Sequence, residues 1–134
     1  MVASYFKQKV ARLQSFSPFL SGCPNPVGLE GTAEDSQFSS YTHMVGWDAF
    51  MARLFNDYAW CSATNDFKLE FLQIDLVNVQ HISCIATQGV RSLYPLFSSY
   101  VTTFIIAYSY DGTTWFLYKG SGGSVQVSGI ISLN

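Results

Sequence analysis

Charge is what this chain has least of. Only 12% of its 134 residues are Asp, Glu, Lys or Arg, and seven basic against nine acidic side chains leave a net charge of −2. Without a positive field there is no counterion release to drive binding to nucleic acid. Long apolar runs are missing too: Phe104-Ile-Ile-Ala107 is followed by Tyr and Ser and preceded by two Thr, far short of the roughly 20 residues that span a bilayer. No transmembrane segment is expected. Lys7, Lys9 and Arg12 near the start are followed by Leu13-Gln-Ser-Phe-Ser-Pro-Phe-Leu20, too polar for the apolar region of an export signal. Asn-X-Ser/Thr sequons are absent.

Groups that could carry a reaction are equally sparse. His43 and His81 are the only histidines, with no Cys or carboxylate placed at zinc spacing beside them, so neither a metal site nor a triad is expected. Asp57, Asp66, Asp75 and Asp111 are spread singly and form no acid and base pair. The reading is of a protein that is not an enzyme. Cysteine comes in an odd number, Cys23, Cys61 and Cys84, which leaves at least one without a partner in this chain. Cys84 lies in an apolar strand and reads as a small buried thiol.

Aromatic residues, by contrast, make up 16% of the chain and hydrophobic ones 49%. That composition suits a single all-β domain with one core. Residues 69–76, Leu-Glu-Phe-Leu-Gln-Ile-Asp-Leu, put Leu72, Ile74 and Leu76 on one face and Phe71, Gln73 and Asp75 on the other, the period of a half-buried strand. After a turn around Asn78, residues 79–88 read as a central strand, and residues 100–110 as a third. Asp111-Gly112 predicts a tight type I′ turn into a partner strand at residues 114–118. Gly120-Ser-Gly-Gly123 is a break, after which residues 125–133 read as a strand or a disordered tail. At the other end Val2, Tyr5, Phe6, Val10 and Leu13 fall at helical spacing, so residues 2–14 read as a short amphipathic helix or a frayed leader. Residues 23–66, rich in Gly, Pro, Ser, Asp and Asn, read as long ordered loops with short strands, and such loops on a β scaffold usually carry the ligand site.

Several motifs occur together in one order: Cys23-Pro-Asn-Pro-Val-Gly-Leu-Glu30, Asp35-Ser-Gln-Phe-Ser-Ser40, Ala52-Arg-Leu54, Ala59-Trp-Cys61, Phe71-Leu-Gln-Ile-Asp-Leu76, Ile85-Ala-Thr-Gln-Gly89 and Tyr108-Ser-Tyr-Asp-Gly-Thr-Thr-Trp115. In these the chain resembles the discoidin, or coagulation factor V/VIII type C, family. The resemblance implies an all-β, antiparallel jelly-roll sandwich, here without the last strands that family members have. It divides the chain into a leader or N-terminal extension (residues 1–22), a partial discoidin domain (residues 23–119) and a divergent C-terminal tail (residues 120–134). Trp60 and Trp115 are expected as core anchors, with Gln73 and Asp75 bonding loop backbone. Cys23 and Cys61 are implied to be half-cystines whose partners lie outside this chain, their pairing with each other being the alternative.

By the same resemblance the ligand site lies in loops at one end of the sandwich. Residues 41–45 match the first loop, with Tyr41, Thr42, His43 and Met44 as contact candidates; residues 62–66 match the second, with Asn65 and Asp66; and residues 90–97 match the third, with Arg91, Leu93, Tyr94 and Phe97. Met44, Leu93, Tyr94 and Phe97 are suited to entering a lipid interface or stacking on a sugar, and His43 and Arg91 to a carboxylate or phosphate. The competing arrangement has these side chains packed down on the loops themselves. The implied function is an extracellular adhesion module for a glycan, an anionic phospholipid or collagen. The alternative is a structural part, or a truncated isoform, of a larger extracellular protein with no ligand of its own. No cofactor is implied, with calcium left open.

Overall fold

The computed structural model describes residues 2–7, 13–14, 33–53, 57–64, 69–80, 82, 85–87, 89, 101, 103–120 and 123. Seven strands follow in order: β1 (Val2–Lys7), β2 (Leu13–Gln14), β3 (Phe38–Ser40), β4 (Leu72–Ile74), β5 (Ala86–Thr87), β6 (Thr103–Tyr108) and β7 (Phe116–Leu117). Two 3₁₀ turns, Asp35–Gln37 and Ala49–Ala52, flank β3 and the first loop. No α-helix occurs among the described residues.

One sheet has the order β3-β4-β1-β6-β7, and a second pairs β2 with β5. All pairings are antiparallel. β4 follows its sequence pattern: Leu72, Ile74 and Leu76 are buried while Phe71, Gln73 and Asp75 are partly exposed. The core gathers Phe38, Ala49, Ala52, Trp60, Leu72, Ile74, Leu76, Val101 and Phe104, and Ile82 and Ile85, which lead into β5, pack on the same cluster. Trp60 and Leu72 are the largest fully buried side chains, and burying Leu72 alone contributes about 2 kcal/mol. Trp115, expected beside Trp60, is only partly buried.

Arg53 ties the entry to β3 to this core. Its guanidinium donates to the carbonyls of Phe50 and Ala33, pairs with Asp35 at 2.8 Å and lies 4.5 Å from the ring centroid of Phe38. Gln37 then closes the start of β3 onto the end of β4: Asp75 N–H donates to its carbonyl at 2.8 Å and Gln37 Nε2 donates to Asp75 O at 2.6 Å.

Three local expectations are corrected. Residues 2–14, read as a helix or a frayed leader, contain β1 and β2 instead. β1 lies in the middle of the large sheet, bonded to β4 on one side and to β6 on the other, and two ladders outweigh a helical spacing of five residues. The central place is therefore not held by residues 79–88. Val77 adopts a left-handed φ of +64°, which breaks the extended chain there. Val79 and Gln80 are exposed, and the strand character of this stretch among the described residues is Ala86–Thr87, paired with β2. The Asp111-Gly112 turn is wider than two residues, because Tyr108 pairs with Phe116. Gly112 alone has positive φ, whereas a type I′ turn needs it at both central positions.

Candidate functional site

The register of the large sheet fixes which loops share an end. Ser40 pairs with Leu72, Leu72 with Ser4, and Ser4 with Ile106. The chain that leaves β3 therefore emerges beside the chain that enters β4, and the 109–115 loop lies at the opposite end. The first end carries the 41–47 loop, residues 60–64 and residues 69–71.

The 41–47 loop is a short turn clamped at its base. Trp47 N–H donates to Met44 O at 2.9 Å, and Gly46, third in that four-residue turn, has φ +80°. This is the place where a type II turn demands positive φ. Met44 N–H donates to Cys61 O at 2.8 Å and Cys61 N–H to Trp47 O at 3.3 Å, so both legs of the turn are bonded to one residue. Trp47 packs half-buried against Ala59 and Cys61. The result lifts Val45 to the tip, where it is 100% exposed, with Met44 beside it at 46%.

The sequence-based site residues separate on this frame. Tyr41 is 54% exposed but leans on Phe71, ring centroids 6.2 Å apart. Thr42 is committed to the loop's own bonds. Its carbonyl accepts from Trp60 Nε1 at 3.0 Å, while its hydroxyl accepts Ala63 N–H at 3.0 Å and donates to Glu70 Oε1 at 2.6 Å. His43 Nε2 lies 3.2 Å from Asp48 Oδ1 on the surface, an arrangement that holds the imidazole at the loop's flank. Met44 is the apolar side chain the reading anticipated, and its Sδ also receives the Cys61 thiol at 3.5 Å. Asn65, Asp66, Arg91, Leu93, Tyr94, Phe97 and Cys23 lie outside the described residues. Among the described residues no group of three His, Cys, Asp or Glu is placed to hold a metal ion.

Two contributors escaped the candidate set. Val45 lies in the segment matched to the first loop but was not among its contact candidates, having no polar or aromatic group to mark it, and the adjoining Gly46, as a turn residue, signals its exposure. Glu70 falls on the face of Leu72 and Ile74 by the strand's alternation, and it is buried beneath the loops, where it joins Thr42 to Thr64, whose hydroxyl donates to Glu70 Oε1 at 2.5 Å. The partners lie 28 and 6 residues from it in the sequence. The site so built is a rigid apolar tip on polar struts. It contains no nucleophile placed against a base.

A family model for the F5/8 type C domain matches residues 35–131. Lactadherin of Mus musculus is 33% identical over 126 residues, 86% of this chain and 27% of that protein. Lactadherin of Bos taurus is 38% identical over 116 residues, 78% of this chain and 26% of its own length. The venom prothrombin activator omicarin-C non-catalytic subunit of Oxyuranus microlepidotus is 35% identical over 109 residues, 78% of this chain and 7% of its own length. The chain thus corresponds to about a quarter or less of each of these relatives. No solved structure matches it significantly. The match covers β3 to β7 and both loops of the described site, and the family is one of binding modules with no enzymatic family indicated. On these grounds the chain belongs to the F5/8 type C family, whose fold is the discoidin β-sandwich.

Proposed function

We propose that the chain is an extracellular adhesion module that recognises an anionic phospholipid surface through the 41–47 loop. The observation that carries this reading is Val45, wholly exposed at the tip of a turn that is bonded at both legs. A fully exposed apolar residue on a rigid turn gains nothing from water, whereas burial in the acyl boundary of a bilayer is worth about 2 kcal/mol for such a side chain. Met44 adds a second, adaptable apolar group. His43 adjoins the tip in sequence, and Arg91, Leu93, Tyr94, Phe97, Asn65 and Asp66 are further contact residues that we propose from the family resemblance. Relatives named for coagulation and venom support an extracellular setting. Among the described residues no helix is long and apolar enough to cross a membrane.

The test is co-sedimentation with phosphatidylserine/phosphatidylcholine vesicles, with and without calcium, for the natural chain and for Val45→Asp. Replacing an inserted methyl-bearing side chain with a carboxylate is expected to weaken binding by at least about tenfold. Equal binding by the variant would remove the loop from the site. Saturable binding to collagen or a glycan array without vesicle binding would change the ligand class. Silence in all three assays would make the chain a structural part with no ligand of its own.

A further inference from the structure

Glu70 is a buried carboxyl group, at 2% exposure. Its Oε1 accepts both the Thr42 hydroxyl and the Thr64 hydroxyl, and its Oε2 is buried with no hydrogen-bond partner among the described residues. A carboxylate in that position is expensive, since two hydroxyl donors on one oxygen compensate only part of the lost hydration. A leucine of similar volume would fill the place without that cost. Stability alone does not account for the residue.

What the carboxylate achieves is geometry. Thr42 belongs to the first loop and Thr64 to the second, so a single oxygen fastens the two together. The Thr42 hydroxyl, fixed from below by Glu70, accepts Ala63 N–H at 3.0 Å. Two residues on, Met44 N–H reaches Cys61 O. Without Glu70 the Thr42 hydroxyl is free to turn, its bond to Ala63 weakens, and the base of the turn that presents Met44 and Val45 loses its lateral brace. We propose that Glu70 is a positioning residue: it holds the 41–47 loop on the 60–64 segment in the geometry that presents the apolar tip, and it does so without touching the ligand. Its effect on affinity rests on the reading of this loop end as the binding surface.

The experiment uses the full chain and the variants Glu70→Leu, Glu70→Gln and Thr42→Val. It measures amide hydrogen exchange at Met44 and Ala63, affinity for phosphatidylserine/phosphatidylcholine vesicles, and Tm. Glu70→Leu is expected to speed exchange at both amides and to weaken vesicle binding about tenfold, the equivalent of one charge-assisted hydrogen bond, while Tm stays within about 4 °C. Glu70→Gln keeps an acceptor oxygen at the same reach and restores most of both. Thr42→Val reproduces the loss, and combined with Glu70→Leu it adds little, as expected for two halves of one contact. Unchanged exchange at Met44 and Ala63 in Glu70→Leu overturns the proposal. So does a large fall in Tm with vesicle affinity of the folded protein intact, which is the signature of a purely structural residue. If Glu70→Leu does not fold, retention in Glu70→Gln against loss in Thr42→Val supports the proposal, and equal behaviour of those two overturns it. Accelerated exchange in a protein that binds no vesicles at all upholds the brace and removes the membrane reading instead.

Discussion

Gly46 and Val77 hold φ values of +80° and +64°, in the region where a Cβ crowds the following carbonyl. At Gly46 there is no Cβ to crowd, and nothing lies within 4 Å of where one would sit. The cost of Gly46→Ala is therefore backbone strain alone. At Val77 the strain is already present. The residue is 73% exposed and is held in place by its N–H donating to Asp75 Oδ1 at 2.8 Å, so Val77→Gly gives up almost no packing. Gly46→Ala is expected to lower stability, and Val77→Gly to raise it, by about 1 kcal/mol each once glycine's unfolded-state entropy is counted. Urea midpoints of the two variants check this, and shifts of the same sign would defeat the argument. The turn near residue 78 was legible in the sequence through Asn78, but the left-handed residue is the preceding one, Val77, whose N–H donates to Asp75 Oδ1 and which the Asn78 N–H to Leu76 O bond spans. What Arg53 and Glu70 bond to was not legible, although the alternation that buries Leu72 and Ile74 puts Glu70 on the same face. Their roles depend on Ala33, Asp35 and Phe38, and on Thr42 and Thr64, which only the folded chain brings to them.

The hairpin of β6 and β7 shows the same contest within one element. Both strands were legible, and Tyr108 meets Phe116 across the pair with ring centroids 5.7 Å apart, while Tyr108 and Tyr110 meet edge-on at 5.8 Å. The connection was misread because Asp111 acts through its side chain. Its Oδ1 accepts the N–H groups of Thr114 at 2.7 Å and Thr113 at 2.8 Å and the Ser109 hydroxyl at 2.9 Å, and its Oδ2 accepts the Thr114 hydroxyl. The backbone N–H of Thr114, then that of Thr113 and the Ser109 hydroxyl hold the Asp111 carboxyl well below the usual aspartate range. A group whose folded pKa is depressed stabilises the fold above its unfolded value, and that support goes as pH falls through the folded value. The loop is therefore expected to stay closed through about pH 4, where an ordinary aspartate is half protonated, and to open only in stronger acid. Amide chemical shifts of Thr113 and Thr114 followed from neutral pH downward measure it directly. A joint titration centred near pH 4 would show that these bonds do not form in solution.

At the scale of the molecule the sheet depends on β1, which lies before the segment that the family model matches. Take β1 away and the order β3-β4-β1-β6-β7 falls into two separate pairs, β3 with β4 and β6 with β7. The first pair carries the 41–47 loop and the second the aromatic hairpin, so β1 is what joins them in one hydrogen-bonded sheet, over the core that Phe38, Leu72 and Phe104 share. Its importance was hidden from sequence reading. Strand identity there comes from β6, about a hundred residues further on, and helical spacing over a few apolar residues is a local signal that such long-range pairing overrides. The buried face of β4, in contrast, was legible because its alternation matches a core that the segment meets directly. Ser4 offers the sharpest test, since it pairs with Leu72 on one side and Ile106 on the other. Proline has no N–H for either ladder and is confined to edges and bulges of sheets. Ser4→Pro is expected to cost at least about 2 kcal/mol and to broaden the unfolding transition, because the two pairs are no longer coupled, while Ser4→Ala leaves the ladder and its cooperativity in place. Denaturant unfolding read by tryptophan fluorescence and by far-UV circular dichroism distinguishes these outcomes. If Ser4→Pro unfolds at the same midpoint and with the same slope as the natural chain, β1 is no part of the cooperative sheet, and the loop end must be held by β3 and β4 alone.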